Sequence, residues 1–306
     1  MAWRIHLTNQ AIPALDILPG KSPLLAVWTQ RDRVAYFDLE TGTSLGEQTH
    51  LLGSVDNRQH PRWAEYIAGL VAPNKAVLPV VNTPLGMVYL TGDGRMRVTQ
   101  VRAAQLFLEI DGKELQLDAG EAEAFLAVGL DRFLGLIAAL DEAGKLHIYQ
   151  QHIPVGVFDF GLTADEDYQP NIAVAFGGGA LFVTDGRRIV LTDSSGKGRK
   201  QLDVHYFIRR IACSPNGRYL ATSDAETGVL RVYAGADLTI THQRHAIDLV
   251  LAATQVQLLA DIPPMGTALG PLAVDNQGHV TFAMSGVVCL TDLTQMDELP
   301  RPQPLL

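Results

Sequence analysis

Cysteine is scarce in this 306-residue chain, with only Cys213 and Cys289, and there is no run of Lys or Arg as long as four. Both cysteines sit inside apolar alternating stretches, where a free thiol behaves as a small buried hydrophobe. Two such residues cannot form a disulfide framework, and they fit a reducing compartment. No segment approaches the ~20 apolar residues needed to span a bilayer. The opening Met1-Ala2-Trp3-Arg4-Ile5-His6-Leu7-Thr8 lacks the apolar core of a secretion signal. The expectation is a cytoplasmic protein with no membrane insertion.

Positive charge is also short. A formal net charge of −9 without any basic block removes the electrostatic footprint that a phosphate backbone requires. No nucleic acid partner is therefore expected. Catalytic signatures are missing as well: there is no Gly-x-Ser-x-Gly, no His-Glu-x-x-His and no Cys-x-x-Cys. None of the pairs Gly20-Lys21, Gly112-Lys113, Gly144-Lys145 and Gly196-Lys197 has the upstream Gly of a phosphate-binding loop. These absences point to a non-enzyme without a cofactor. Helical periodicity is weak too, since its best stretch, 118–126, is short and interrupted by Gly120.

What the chain has is alternation broken by turns, with 47% apolar residues, 28 Gly and 16 Pro. The clearest stretch is Arg210-Ile211-Ala212-Cys213-Ser214-Pro215-Asn216-Gly217-Arg218-Tyr219-Leu220-Ala221-Thr222-Ser223, followed by Gly228-Val229-Leu230-Arg231-Val232-Tyr233. Two apolar runs flank a Ser-Pro-Asn-Gly turn and a third follows a Gly, which reads as three consecutive antiparallel strands. These residues resemble a WD40-type β-propeller repeat, with its Ser-Pro-Asp-Gly-like turn, Leu-Ala-Ser-like strand and Trp-Asp ending.

Copies of this pattern recur. One covers 12–39 and ends on Phe37-Asp38 where the family has Trp-Asp. Weaker ones run from Tyr66 through 76–81 to a third strand at 87–91, and from Phe125 through 133–140 to 145–149. Two more end on Leu191-Thr192-Asp193 and Leu290-Thr291-Asp292. Surplus material lies at 105–118, where Asp111-Gly112 reads as a hairpin, and at 246–261. The predicted fold class is all-β: a single closed β-propeller over 1–306, built of four-stranded antiparallel blades. Six motif phases are visible, while a coarse count of about 28 strands favours seven blades over six. The ring closes through an N-terminal strand at about 3–8, which completes the C-terminal blade as its outer strand. A Pro-rich tail occupies 299–306.

The resemblance also implies a hydrogen-bonded set in the best blade, running from His205 through Ser223 and Asp224 or Glu226 to Tyr233. The bland reading of that set is stiffening of the blade by satisfied buried polar groups. Asp165-Glu166-Asp167-Tyr168 has oxygen ligands but no calcium-loop spacing and reads as a solvated acidic loop. Gly177-Gly178-Gly179 reads as a hairpin turn.

For function, loops concentrating Arg, Trp and Tyr stand out, because those types dominate binding hot spots when exposed. The candidates are Arg58, His60, Arg62, Trp63 and Tyr66 in one loop, and Tyr206 and Arg209 entering the best blade. The reading is an interaction scaffold whose face or rim holds a protein partner within a larger complex. The alternatives are a small-molecule or peptide binder and a propeller hydrolase or lactonase. The hydrolase would hold a metal in its channel through residues such as Glu65, Asn171, Asp203 or Asp275.

Overall fold

A computed structural model describes residues 3–8, 12, 14–18, 23–29, 33–49, 77–83, 86–91, 96–102, 104–110, 113–130, 136–150, 152–163, 170–175, 179–197, 200–253, 255–258 and 269–291. These residues form six sheets and one short helix. Strand β1 (Trp3–His6) belongs to the last sheet, and the first contains β2 (Ala14–Leu18), β3 (Leu24–Trp28), β4 (Arg33–Asp38) and β5 (Ser44–Thr49), in that order. The second has five strands, β6 (Val77–Thr83), β7 (Gly86–Thr91), β8 (Met96–Arg102), β9 (Gln105–Ile110) and β10 (Lys113–Gln116). The third holds β11 (Phe125–Leu130), β12 (Leu136–Asp141), β13 (Lys145–Gln150) and β14 (Ile153–Asp159). The fourth holds β15 (Asn171–Val174), β16 (Leu181–Thr184), β17 (Arg188–Thr192) and β18 (Lys200–Asp203). The fifth holds β19 (Ile208–Cys213), β20 (Tyr219–Asp224), β21 (Val229–Ala234) and β22 (Thr239–His245), after which comes helix α1 (Ala246–Ala252).

The sixth sheet joins the two ends of the described chain. Its order is β23 (Gln255–Leu258), β1 (Trp3–His6), β26 (Val287–Thr291), β25 (Val280–Met284) and β24 (Leu269–Val274). β1 runs antiparallel to β26, pairing Trp3 with Leu290 and His6 with Val287. The N-terminal strand is not the outermost strand, however. β23 adds beyond it in parallel, pairing Trp3 with Gln255 and His6 with Leu258. Two of the six described sheets carry a fifth strand, β10 and β23.

First strands of successive sheets touch: β2 meets β6, β11 meets β15, β15 meets β19, β19 meets β24, and β24 returns to β2. The second and third sheets share an apolar cluster including Val98, Leu106 and Leu108 on one side and Phe125, Ile137 and Tyr149 on the other. The arrangement is propeller-like, and its core lies between sheets rather than inside one. Strands buried on both faces explain why β12 reads Leu-Ile-Ala-Ala-Leu-Asp without alternation. Close approach also dictates small residues. A Cβ on Gly129 of β11 would lie 2.6 Å from Ile172 Cγ2 in the next sheet.

One reading of the second sheet is corrected. Residues 87–91 form its second strand, β7, and the third is β8. The strand expected near Tyr66 falls in 50–76, outside the described residues, as does the 299–306 tail.

A shared irregularity ties three sheets together. The fourth strand carries one extra residue opposite the same point of the third, giving register shifts at Tyr36/Phe37, Ile148/Tyr149 and Val232/Tyr233. In each case the shift abuts a buried aromatic: Phe37, Tyr149 or Tyr233. A bulge bends the outer strand and increases its twist, so the repetition preserves the same curvature from sheet to sheet. On β14 the bulge, Pro154 and Gly156 also interrupt an edge whose Ile153, Val155 and Val157 are exposed.

His6 on β1 is 3% exposed, and its Nδ1 has no hydrogen-bond partner. Burial, and then the charge of Arg4, hold its pKa below the ordinary 6.5. Its strand neighbours across the sheet, Leu258 and Val287, carry no charge. The unfolded chain therefore binds this proton more readily, so stability is full above pH 6.5 and declines as pH falls through that value towards the folded pKa. Thermal melts of wild type and His6→Gln should diverge in slope between neutral and mildly acidic pH. Parallel curves would remove His6 as the cause.

Candidate functional site

In an antiparallel four-stranded sheet, the start of the first strand, the turn between the second and third, and the end of the fourth share one side. That side collects Asn171 at the head of β15, Arg209 and Arg210 at the head of β19, and the turns after β12, β16 and β20.

Each of those three turns begins on a buried aspartate: Asp141, Asp185 and Asp224. Asp141 accepts the backbone N–H of Lys145 at 2.8 Å and meets His147 Nε2 at 2.8 Å. Asp185 accepts from the backbone N–H groups of Arg187, Arg188 and Thr163 at 2.9, 2.8 and 3.1 Å. Asp224 accepts from those of Glu226 and Thr227 at 2.9 and 3.1 Å, and from Arg231 Nη1 at 3.1 Å. Burial pushes the Asp224 carboxyl up. The hydrogen bonds from Thr227, Glu226 and Arg231 outweigh it and hold the group below the ordinary carboxylate value.

The connection from β18 to β19 is stitched to both flanking turns. Val204 N–H donates to Arg187 O at 2.8 Å, Ile208 N–H to Gly186 O at 2.7 Å, and Ala225 N–H to Phe207 O at 2.7 Å. Beneath it, the Tyr206 hydroxyl bonds Thr222 Oγ1 at 2.8 Å and the Tyr233 hydroxyl. The Arg231 guanidinium lies 3.6 Å from the centroid of the Tyr206 ring while holding Asp224. Burial raises the pKa of both phenols, so both stay protonated and can donate. On the outside of this platform Arg187, His205 and Arg209 are exposed, and the Arg187 guanidinium sits 4.5 Å from the Phe207 ring centroid. Asn171 Nδ2 donates to Arg209 O at 3.3 Å.

This geometry corrects the expected set. Asp224 and Tyr233 belong to it, but His205 is exposed and Ser223 Oγ is buried without a partner. Tyr206 and Thr222, each one residue away, take their places. Thr222 and Ser223 are successive on β20 and face opposite sides, whereas 205–206 lie in the connection between β18 and β19. Removing the hydroxyl in Tyr206→Phe leaves Tyr233 and Thr222 without that partner and should cost about 1–2 kcal/mol in denaturant unfolding. A change below ~0.3 kcal/mol would show that the bonds contribute nothing net.

Among the other candidates, Arg58, His60, Arg62, Trp63, Glu65 and Tyr66, with 165–168, Gly177 and Gly178, lie outside the described residues. Asn171, Asp203 and Asp275 do not converge. Asp203 ends an outer strand and binds Arg188 Nε at 2.7 Å. Asp275 follows β24 at the opposite end of a first strand, and accepts from Gln277 and His279 backbone N–H groups. Among the described residues, no three of His, Cys, Asp and Glu are grouped to hold a metal ion. None of the described helices is long and apolar enough to cross a membrane.

Neither a family model nor a curated protein matches the chain. Solved structures do. Raptor from Chaetomium thermophilum aligns at a TM-score of 0.57 and 9% identity, over 94% of this chain and 28% of the Raptor chain. The computationally designed Ika8 protein aligns at 0.56 and 11% identity, over 94% of this chain and 98% of its own. The chain thus spans little more than a quarter of Raptor and nearly all of Ika8. At these identities the likeness is one of fold alone, and it extends over almost the whole chain.

Proposed function

We propose that the chain is a non-catalytic interaction scaffold, a subunit of a larger assembly. In this reading it is a closed six-bladed propeller of WD40-like kinship, working in the cytoplasm with Cys213 and Cys289 as free thiols. Contacts from each sheet to the next around the full circuit support the closed ring.

One observation carries the binding reading. Exposed Arg187, His205 and Arg209 stand over Tyr206, Thr222, Tyr233, Arg231 and Asp224, which are engaged with one another. A site built this way presents side chains at low ordering cost, which favours binding. The same saturation argues against catalysis, since a general acid or base needs access to a substrate proton.

Gentle purification of the full chain from its native host, with crosslinking and size exclusion, tests the reading. The expected result is stoichiometric co-elution with a protein partner. A solitary monomer, or turnover of a lactone or ester panel by the purified chain, would overturn it.

A further inference from the structure

We infer that the outer edge of β14 receives an extended apolar segment of a protein partner, which adds to the third sheet as a fifth strand. This rests on the scaffold reading above and names where and how the partner binds.

Composition is the first support. β14 is the fourth and last strand of its sheet, so its outer edge has no strand beside it. The other fourth strands fall into two groups. β5, β18 and β22 also end their sheets, and each carries a single large apolar residue, Leu45, Leu202 or Ile240. β9 and β1 are richer, with Leu106, Phe107, Leu108 and Ile110 in one and Trp3 and Ile5 in the other, and each is covered by a fifth strand, β10 or β23. β14 carries Ile153, Val155, Val157 and Phe158, and it is the apolar fourth strand left uncovered. Ile153, Val155 and Val157 are 58%, 47% and 55% exposed, and they make up half of the six large exposed apolar side chains among the described residues.

Geometry is the second support. Leu115 of β10 lies opposite Leu108, which is buried against the third sheet, so Leu115 stands on the side facing that sheet, one strand further out. At that depth the third sheet has no strand, and Leu115 is 38% exposed. Val157 lies opposite His147, whose ring meets Phe125 edge-on at 5.2 Å in the seam with the second sheet. A strand added to β14 would fill the outer end of this seam. The bulge and Pro154, which has no N–H to donate, confine regular pairing to 156–159. Four residues is also the length of β10 and of β23. β10 pairs antiparallel and β23 parallel, so this position in the fold accepts either direction. Two copies meeting edge to edge through so short a stretch would bury far less than the about 1,200 Å² of a stable interface, whereas a segment of a larger partner brings further contacts. In such strand addition, backbone bonds supply affinity and alternate side chains supply selectivity, so the segment has apolar residues at every second position and no Pro.

The test uses a capped, fluorescein-labelled peptide, Gly-Thr-Val-Gln-Val-Thr-Gly, and the full-length chain, read by fluorescence anisotropy. Saturable binding is expected, changing by less than about twofold between about 50 and about 200 mM salt because no charge pair is made. V155K/V157K should weaken it by about tenfold or more, since lysine on an edge opposes strand pairing. Ile240→Lys, at an exposed apolar position on β22, should leave affinity within about twofold. Hydrogen exchange should show the peptide protecting 156–159 and no other fourth strand. Should the double variant unfold, Val157→Lys alone should still lose about threefold. No saturable binding, equal loss in Ile240→Lys, or equal binding of the peptide with Pro for its central Gln would overturn the assignment. So would a wild-type dimer in sedimentation that Val157→Lys returns to monomer, which gives the edge to a second copy. If the peptide fails while a partner co-elutes stoichiometrically, strand addition falls and the scaffold stands. If both fail, both fall.

Discussion

Trp3→Ala should destabilise the protein by about 3–5 kcal/mol, the range for emptying a buried tryptophan site. Trp3 is 1% exposed and packs in a cluster shared by the sixth and first sheets, with Ile12, Leu15, Val27, Phe37 and Leu39 from the first. Its ring fills the space beside Gly42, where an added Cβ would lie 3.0 Å from Trp3 Cδ2. Its indole N–H donates to Leu39 O at 3.1 Å, so truncation leaves a buried carbonyl unpaired as well as a cavity. Differential scanning calorimetry should show a fall of about 10 °C. Trp3→Phe keeps most of the apolar filling but loses the donor, and should fall between. A midpoint within ~2 °C of wild type for Trp3→Ala would mean that this seam contributes little.

Asp224→Ala should cost about 3 kcal/mol, because it breaks a buried pair from one side. Asp224 and Arg231 side chains are 3% and 16% exposed, so the guanidinium left behind has little solvent to recover. Two turn N–H groups lose their acceptor in the same change. Asp224→Asn keeps one acceptor for the turn and should cost less.

The pH dependence discriminates further. The folded carboxyl titrates below the ordinary 3.8, so its contribution is complete above that value and is lost as pH falls through the folded pKa. Acid unfolding curves of wild type and Asp224→Asn should therefore converge at low pH. Curves that stay separated by a constant amount would place the effect elsewhere.

Five of the six strand phases are legible in the residues, and the best of them shows why. Ser214-Pro215-Asn216-Gly217 marks an absolute position: Ser214 Oγ accepts from Tyr219 N–H at 3.0 Å, and Gly217 has φ of +70°. Punctuation of this kind fixes the start of a strand. The second sheet lacks it. Its apolar runs are near equivalents, and the hairpin β9–β10 supplies a further one, so 87–91 passes as a third strand when it is a second. Periodicity alone specifies spacing and not origin.

The polar platform is hidden for a related reason. His205 and Ser223 are the residues that the resemblance implies, but only the fold reveals that Tyr206, in the connection from β18 to β19, and Thr222 of β20 bond each other. The stacking of Arg187 on Phe207 is hidden differently: the two are 20 residues apart and meet because the backbone of 204–208 bonds both flanking turns.

The pairing of β1 with β26 also imposes an order of assembly. Trp3 meets Leu290 only after all the residues between them exist, so the sixth sheet is the most non-local among the described sheets. Loop-closure entropy must be met before that contact gives any return, which makes it a slow, late event. During synthesis the first sheet can form while its neighbour across the seam does not yet exist, exposing Leu15, Val27 and Phe37 to solvent. That interval is when the chain is most open to aggregation and to capture by chaperones.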